Sequence, residues 1–144
     1  MTGIMALVTF TIGYEGKELD EFLSVLARAG VDRVVDVRAL PLSRRKGFSK
    51  TPLGEALAAK SIEYVHLRAA GNPYRDIKDD SERSLALYAR HLDANPDVLV
   101  AIEAAIDGRR AALLCMEAEA QRCHRCIIAD RLCQRDPRRV VRDL

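Results

Sequence analysis

Aromatic side chains are scarce in this 144-residue sequence: there is no tryptophan, and Phe and Tyr together make up 5%. A scaffold protein that docks through an aromatic hot-spot patch is therefore not indicated. Long apolar runs are missing too. None approaches the roughly 18 residues of a membrane span, and the opening Met1–Val8 has neither a basic end nor a cleavage-site pattern, so the expectation is a cytoplasmic protein with no membrane partner. Repeats, low-complexity tracts and Gly/Ser linkers are absent, which excludes solenoids and tethered arrays. Charge of one sign is also lacking: 23 basic residues against 21 acidic ones leave a net +2, too little to announce a polyanion binder. The four cysteines crowd into Cys115–Cys133 instead of tying distant segments together, and are read as reduced thiols rather than a disulfide framework. What remains, 49% hydrophobic and 31% charged residues, suits one ordinary globular domain over residues 1–144.

Short β-rich runs alternate with helical patterns, so the expected class is α/β: a mostly parallel sheet of four to five strands with helices on both faces. The first strand is predicted at Val8–Ile12, ending at Gly13. Leu19, Phe22, Leu23 and Leu26 then recur at helical spacing up to Gly30, a C-cap position. A second strand covers Arg33–Val37, a helix capped at Thr51-Pro52 ends near Lys60, and a third strand covers Ile62–Leu67. Two helices follow. One carries Leu85, Tyr88 and Leu92; the other, after an Asn95-Pro96 cap, carries Leu99, Ile102 and Ile106. Ala111–Cys115 is the fourth strand, a last helix runs from about Cys123 to Gln134, and Arg139–Arg142 is a candidate final strand.

Open parallel sheets bind ligands beyond the carboxyl ends of their strands, so the residues just past each strand are the candidates. Strand one delivers Tyr14 and Glu15, and strand two Asp36 and Arg38. Strand three delivers His66 and the Gly71-Asn72-Pro73 turn, and strand four Cys115 and Glu117. Loops must be solvated, so a polar residue at any one of these places needs no function. The set is what points to a crevice.

Between Arg38 and Lys50 the sequence holds five basic residues and no acid. Arg38 and Arg44 as bidentate donors, Ser43 as a hydroxyl, Gly47 for backbone access and Phe48 as a stacking ring fit a phosphate or polynucleotide contact. The alternative is a solvated loop whose arginines pair with acids such as those in Asp76–Glu82. A second basic block, Gln121–Arg142, has seven Arg against two Asp. Cys123-His124-Arg125 near its start is placed in the first turn of a helix. Free N–H groups and the helix dipole there would hold an anion, with Arg125 as a contact, or lower the Cys123 pKa. Glu117 would orient His124 or serve as a general base. In the plainer alternative the cysteines are small core residues, His124 caps a neighbour and Glu117 pairs with Arg125. Zinc would have to combine the Cys123-x-x-Cys126 pair with two ligands drawn from Cys115, Glu117, His124 and Cys133, without a second Cys/His knuckle. No metal and no cofactor is expected.

Taken together, Thr11-Ile-Gly-Tyr-Glu-Gly16, Val35-Asp-Val-Arg38 with Pro41, Ser43, Arg44 and Phe48, Ile62-Glu-Tyr-Val65, Gly71-Asn-Pro73, and Leu114-Cys-x-Glu117 with Cys123-His-Arg125 resemble the domain of unknown function 488 family. The motifs match in order over nearly the whole chain. The resemblance implies a compact bacterial or archaeal α/β domain and brings no established reaction. Three departures stand out: Cys126 replaces a serine or arginine after the CHR triplet, His66-Leu-Arg-Ala-Ala-Gly71 replaces a Pro-x-Leu-Gly version, and the C-terminal segment lacks the histidine of the family's last strand.

The functional expectation is a phosphate-recognising domain, an enzyme acting on a nucleotide or nucleic-acid substrate. Tyr14, Arg38, Ser43, Arg44, Cys115 and Arg125 are the expected substrate contacts, and Glu117, Cys123, His124 and Asp36 the catalytic candidates. The rival is a non-catalytic nucleic-acid-binding module that uses both basic blocks as a surface, with affinity falling steeply with salt. Oligomeric state is left open.

Overall fold

The computed structural model describes residues 7–77 and 81–144. The first six residues, and Asp79 and Asp80 of the acidic run, lie outside that description. Five strands form one sheet in the order β3-β2-β4-β1-β5. They are β1 (Leu7–Gly13), β2 (Arg33–Asp36), β3 (Glu63–His66), β4 (Ala111–Cys115) and β5 (Arg139–Asp143). Every neighbouring pair is parallel, as an alternating strand–helix order requires.

The chain steps outward from β1 to β2 and β3, then turns back to β4 and on to β5. Right-handed crossovers in the two directions put their helices on opposite faces of the sheet. Helices α1 (Leu19–Arg28) and α2 (Lys50–Ala58) accordingly pack one face, and α3 (Ser81–Ala94), α4 (Pro96–Ile106) and α5 (Arg125–Arg135) the other. Strand alternation divides the core between them. Ala112 and Leu114 of β4 meet Phe22, Leu26, Leu53 and Leu57. Ala111, Leu113 and Cys115 meet Tyr88, Ile102 and Ile128. All five β4 residues are buried, the pattern of a central parallel strand.

Some boundaries differ from the sequence expectation. Helix α2 begins at Lys50 with Ser49 as N-cap, which leaves Thr51 and Pro52 inside the first turn. The Ser49 hydroxyl is turned across the preceding loop, where it accepts the Ser43 N–H. The buried stripe of α3 is Ser84, Tyr88 and Leu92, while Leu85 is only partly buried. Helix α5 starts at Arg125, after a short 3-10 turn at Ala120–Arg122, so Cys123 and His124 precede the helix rather than form its first turn. A second 3-10 turn occupies Arg68–Ala70. Among the described residues no helix is long and apolar enough to cross a membrane.

Candidate functional site

The connection leaving β1 runs to α1 and the one leaving β4 runs to α5, on opposite faces, so a crevice opens over the end of β4. A cleft of about 630 Å³ occupies it, within the usual range of small-molecule sites. Tyr14 follows β1 into its wall, Arg38 and Leu40 follow β2, Asn72 and Arg75 follow β3, and Cys115, Glu117, Arg122, Cys123 and His124 come from the end of β4 and the loop beyond.

Two glycines make this convergence possible. A Cβ on Gly13 would lie 1.7 Å from the Glu117 carbonyl oxygen, so only glycine lets the β4–α5 loop close over β1. The Tyr14 N–H then donates to the Cys115 carbonyl at 3.3 Å, the Glu15 N–H to the Met116 carbonyl at 2.8 Å, and the Ala118 N–H to Glu15 Oε1 at 3.1 Å. The Gly-Tyr-Glu stretch is thus a seam that fixes the loop. On the opposite wall a Cβ on Gly71 would lie 2.3 Å from Ala39 Cα, so the turn after β3 presses against the exit of β2. Asn72 steadies that turn by donating to Ser84 Oγ and accepting the Tyr74 N–H.

Asp36 is fully buried beneath the cleft, on the α1/α2 face. It accepts hydrogen bonds from the Arg38 backbone N–H (3.0 Å), from Arg38 Nε (2.9 Å) and Nη2 (2.7 Å), and from the Tyr64 hydroxyl. Arg38 Nη1 donates to the Phe48 carbonyl at 2.7 Å. Burial alone would disfavour the Arg38 charge, but the hydrogen bonds and charge of Asp36 outweigh it, and the guanidinium pKa lies above its ordinary value. Arg38 reaches the cleft with its donors engaged, and its guanidinium carbon lies 5.3 Å from the centre of the Tyr14 ring.

Arg125, expected as an anion contact, is wholly buried. Its Nε donates to Thr11 Oγ1 (3.1 Å), Nη1 to the Glu117 carbonyl (2.6 Å), and Nη2 to the Ala118 carbonyl (3.1 Å). Nη1 also contacts Cys115 Sγ at 3.3 Å. It acts as the post around which the β4–α5 loop is wrapped.

That loop returns residue 123 to the end of β4, and the sulfurs of Cys115 and Cys123 are bonded. The expectation of four reduced thiols therefore fails for this pair, while Cys126 and Cys133 are free. As bonded, Cys123 is no nucleophile. Glu117, half-buried, places Oε2 3.2 Å from Cys115 Sγ. His124 packs edge-on against Tyr88, with Nε2 2.7 Å from the Val37 carbonyl. A carbonyl only accepts, so the ring proton sits on Nε2 and the Nδ1 lone pair faces Cys123 Sγ at 3.6 Å. Burial, reinforced by the neighbouring Arg125 charge, pulls the imidazole pKa down to about 4 against the Val37 hydrogen bond, so His124 is neutral at pH 7.

The structure thus brings Tyr14, Arg38, Cys115, Glu117, Cys123 and His124 to one cleft, with Asp36 and Arg125 buried around it. Ser43 and Arg44 do not line it. Ser43 Oγ accepts the Arg45 N–H within its own loop, and Arg44 is exposed. Phe48, expected as a stacking ring for a ligand, is 1% exposed: it stacks on Tyr14 at 4.7 Å and meets Phe22 edge-on. An aromatic ring in a chain with so few of them goes to the core.

The family described as "Domain of unknown function DUF488" matches residues 18–132. The chain belongs to the DUF488 family. This DUF488 chain is also similar to a crystal structure described as "Putative phosphatase (DUF442)" from Shewanella putrefaciens CN-32, at 14% identity and a TM-score of 0.38; the match covers 81% of this chain and 61% of that one. No curated protein matches it.

Two arginines of the DUF488 cleft escaped the sequence reasoning. Arg75 and Arg122 line it, both exposed and neither in an ion pair among the described residues. The signal for Arg122 was its position directly before the Cys-His-Arg triplet. Arg75 had only its closeness to the Gly-Asn-Pro turn. Leu40, Leu42 and Met116, each about half exposed, give the cleft an apolar rim.

Proposed function

We propose that this DUF488 domain recognises a phosphate-bearing ligand, a nucleotide or nucleic-acid substrate, in the cleft at the strand ends, and acts on it as an enzyme. The observation that carries the reading is the state of the arginines. Within Gln121–Arg142, Arg125 is buried, Arg131 pairs with Asp93, Arg135 with Glu103, Arg138 with Asp136 and Arg139 with Asp107. The basic block that suggested an extended nucleic-acid surface is largely neutralised by its own neighbours. Arg122 and Arg75 lie outside these ion pairs; Arg75 Nη1 donates to the Asn72 carbonyl at 3.4 Å, and the two side chains bring their remaining donors, from two different loops, to one cleft. Arg38 and Arg125 support the reading as the cations that hold its floor. Leu40, Leu42 and Met116 give a base or other apolar moiety a surface to lie on, and in this reading Glu117, a half-buried carboxylate of the lining, serves as general base.

The test is titration of mononucleotides and short oligonucleotides against wild type, Arg122→Ala and Arg75→Ala. A charge-assisted hydrogen bond contributes about 1.5–3 kcal/mol, so each variant is expected to bind roughly 10- to 100-fold more weakly. Equal affinity for all three proteins would sink the anion site. A steep loss of affinity with salt, together with preference for long strands over mononucleotides, would favour the non-catalytic surface instead.

A further inference from the structure

We propose that Cys115, Cys123 and His124, in the dithiol form of the chain, bind one Zn²⁺ ion at the floor of the cleft, with the fourth coordination position beside Glu117. Their donor atoms, Sγ, Sγ and a ring nitrogen, all lie within 4.8 Å of one another, and all three residues are buried. Two thiolates and an imidazole are a donor set suited to zinc.

The geometry supports one shared ion. With Zn–S of ~2.3 Å and Zn–N of ~2.0–2.1 Å at the tetrahedral angle, a sulfur and a nitrogen on one zinc stand ~3.6 Å apart. Cys123 Sγ and His124 Nδ1 stand 3.6 Å apart. The Val37 carbonyl holds the Nε2 proton and so leaves Nδ1 as the ligand atom, which is the backing a zinc-bound histidine usually has. The Cα atoms of Cys115 and Cys123 are 7.4 Å apart, wider than the ~4.4–6.8 Å that disulfides usually span, and leave room for two sulfurs ~3.8 Å apart around an ion. Charge closes as well. Two thiolates neutralise the ion, and the Glu117 carboxylate is balanced by Arg125, whose Nη1 touches Cys115 Sγ. Three protein ligands and one position open to a cleft is the plan of a catalytic rather than a structural zinc.

Binding requires the S–S bond to be opened first. A phosphine reductant and water do this, giving two thiols and the phosphine oxide; Zn²⁺ then displaces the two thiol protons. Sequence reasoning paired Cys123 with Cys126 because they share a CxxC. The structure instead turns Cys126 towards the Gln121 carbonyl, and it is Cys115, eight residues upstream, that meets Cys123.

The experiment uses the full chain, reduced with a phosphine under anaerobic conditions and titrated with Zn²⁺ or with Co²⁺ as its spectroscopic stand-in, with no nucleotide present. Its failure is therefore separable from failure of the anion reading. Expected are one ion per chain, thiolate-to-cobalt charge transfer with the strong visible bands of a tetrahedral site, and metal protection of Cys115 and Cys123 from alkylation while Cys126 and Cys133 react. Cys126→Ser is expected to leave affinity unchanged, and His124→Ala to weaken it about 100-fold or more. If His124→Ala does not fold, the alkylation pattern on the wild-type chain decides. Absence of binding by the reduced chain, or protection of Cys126 in place of Cys115, overturns the proposal.

Discussion

Replacing Asp36 by asparagine tests whether the buried pair beneath the cleft holds the fold or serves the chemistry. Asp36 accepts four hydrogen bonds from Arg38, the Nε donor being shared between its two oxygens, and one from Tyr64. Asparagine keeps the shape, but it removes the charge and turns an NH₂ towards a ring of donors. Arg38, 6% exposed, is then left as a buried cation with no counter-charge, its acceptors reduced to one neutral amide oxygen and the Phe48 carbonyl. Breaking one partner of a buried pair costs about 3–5 kcal/mol. Domains of this kind are held by only ~5–15 kcal/mol, so the variant sits near the edge of folding. For a urea m-value of ~2 kcal/mol/M, a loss of about 4 kcal/mol lowers the unfolding midpoint by ~2 M. Removing both charges, in Asp36→Asn with Arg38→Met, is expected to restore part of that loss, because no uncompensated ion remains. A single-variant midpoint within ~0.5 M of wild type, or a double variant whose losses simply add, would refute the structural assignment. A folded Asp36→Asn that binds nucleotide but turns nothing over would return Asp36 to the chemistry.

Three further outcomes follow from the packing. Gly13→Ala forces a Cβ against the Glu117 carbonyl and is expected to cost about 3 kcal/mol or more, while Gly16→Ala, with open space but a φ of +79°, costs about 1–2 kcal/mol; equal thermal midpoints for the two would contradict the seam. Burial raises the Tyr88 phenol pKa above its ordinary value of about 10, so the unfolded chain releases that proton first. Stability is then intact below about pH 10 and falls as pH rises beyond it, and Tyr88→Phe should flatten the fall seen in urea midpoints. Arg44→Ala, altering an exposed residue outside the cleft lining, should leave nucleotide affinity as in wild type; a tenfold loss would move the ligand onto the β2–α2 loop.

The fold was legible because it rests on periodicity. The unbroken apolar run of β4 and the helical spacing of Leu19, Phe22 and Leu26 are properties of neighbouring residues. The candidate cleft was half legible for the same reason: strand ends can be located, so Tyr14, Arg38, Cys115 and Glu117 could be named. What each side chain touches could not. Arg131 finds Asp93, 38 residues away, and Arg139 finds Asp107, so acids from outside the C-terminal block offset the charge it shows in sequence. Phe48 looks available because its loop is basic, yet its ring is taken up by Tyr14 after β1 and Phe22 of α1, outside its own loop. Cys115 and Cys123 meet only because a loop folds around a buried arginine, which no spacing rule encodes.

The β4–α5 loop is gripped from two strands at once. Glu15 and Tyr14 hold it from β1, and the Val37 carbonyl holds His124 from β2. A segment tied on both flanks behaves like a keystone and has little freedom to swing as a lid. The rim residues Leu40, Leu42 and Arg75 come instead from the β2–α2 and β3–α3 connections. Relatives with the same floor can therefore change the rim by exchanging loop residues, while the end of the cleft at β4 stays as the sheet sets it.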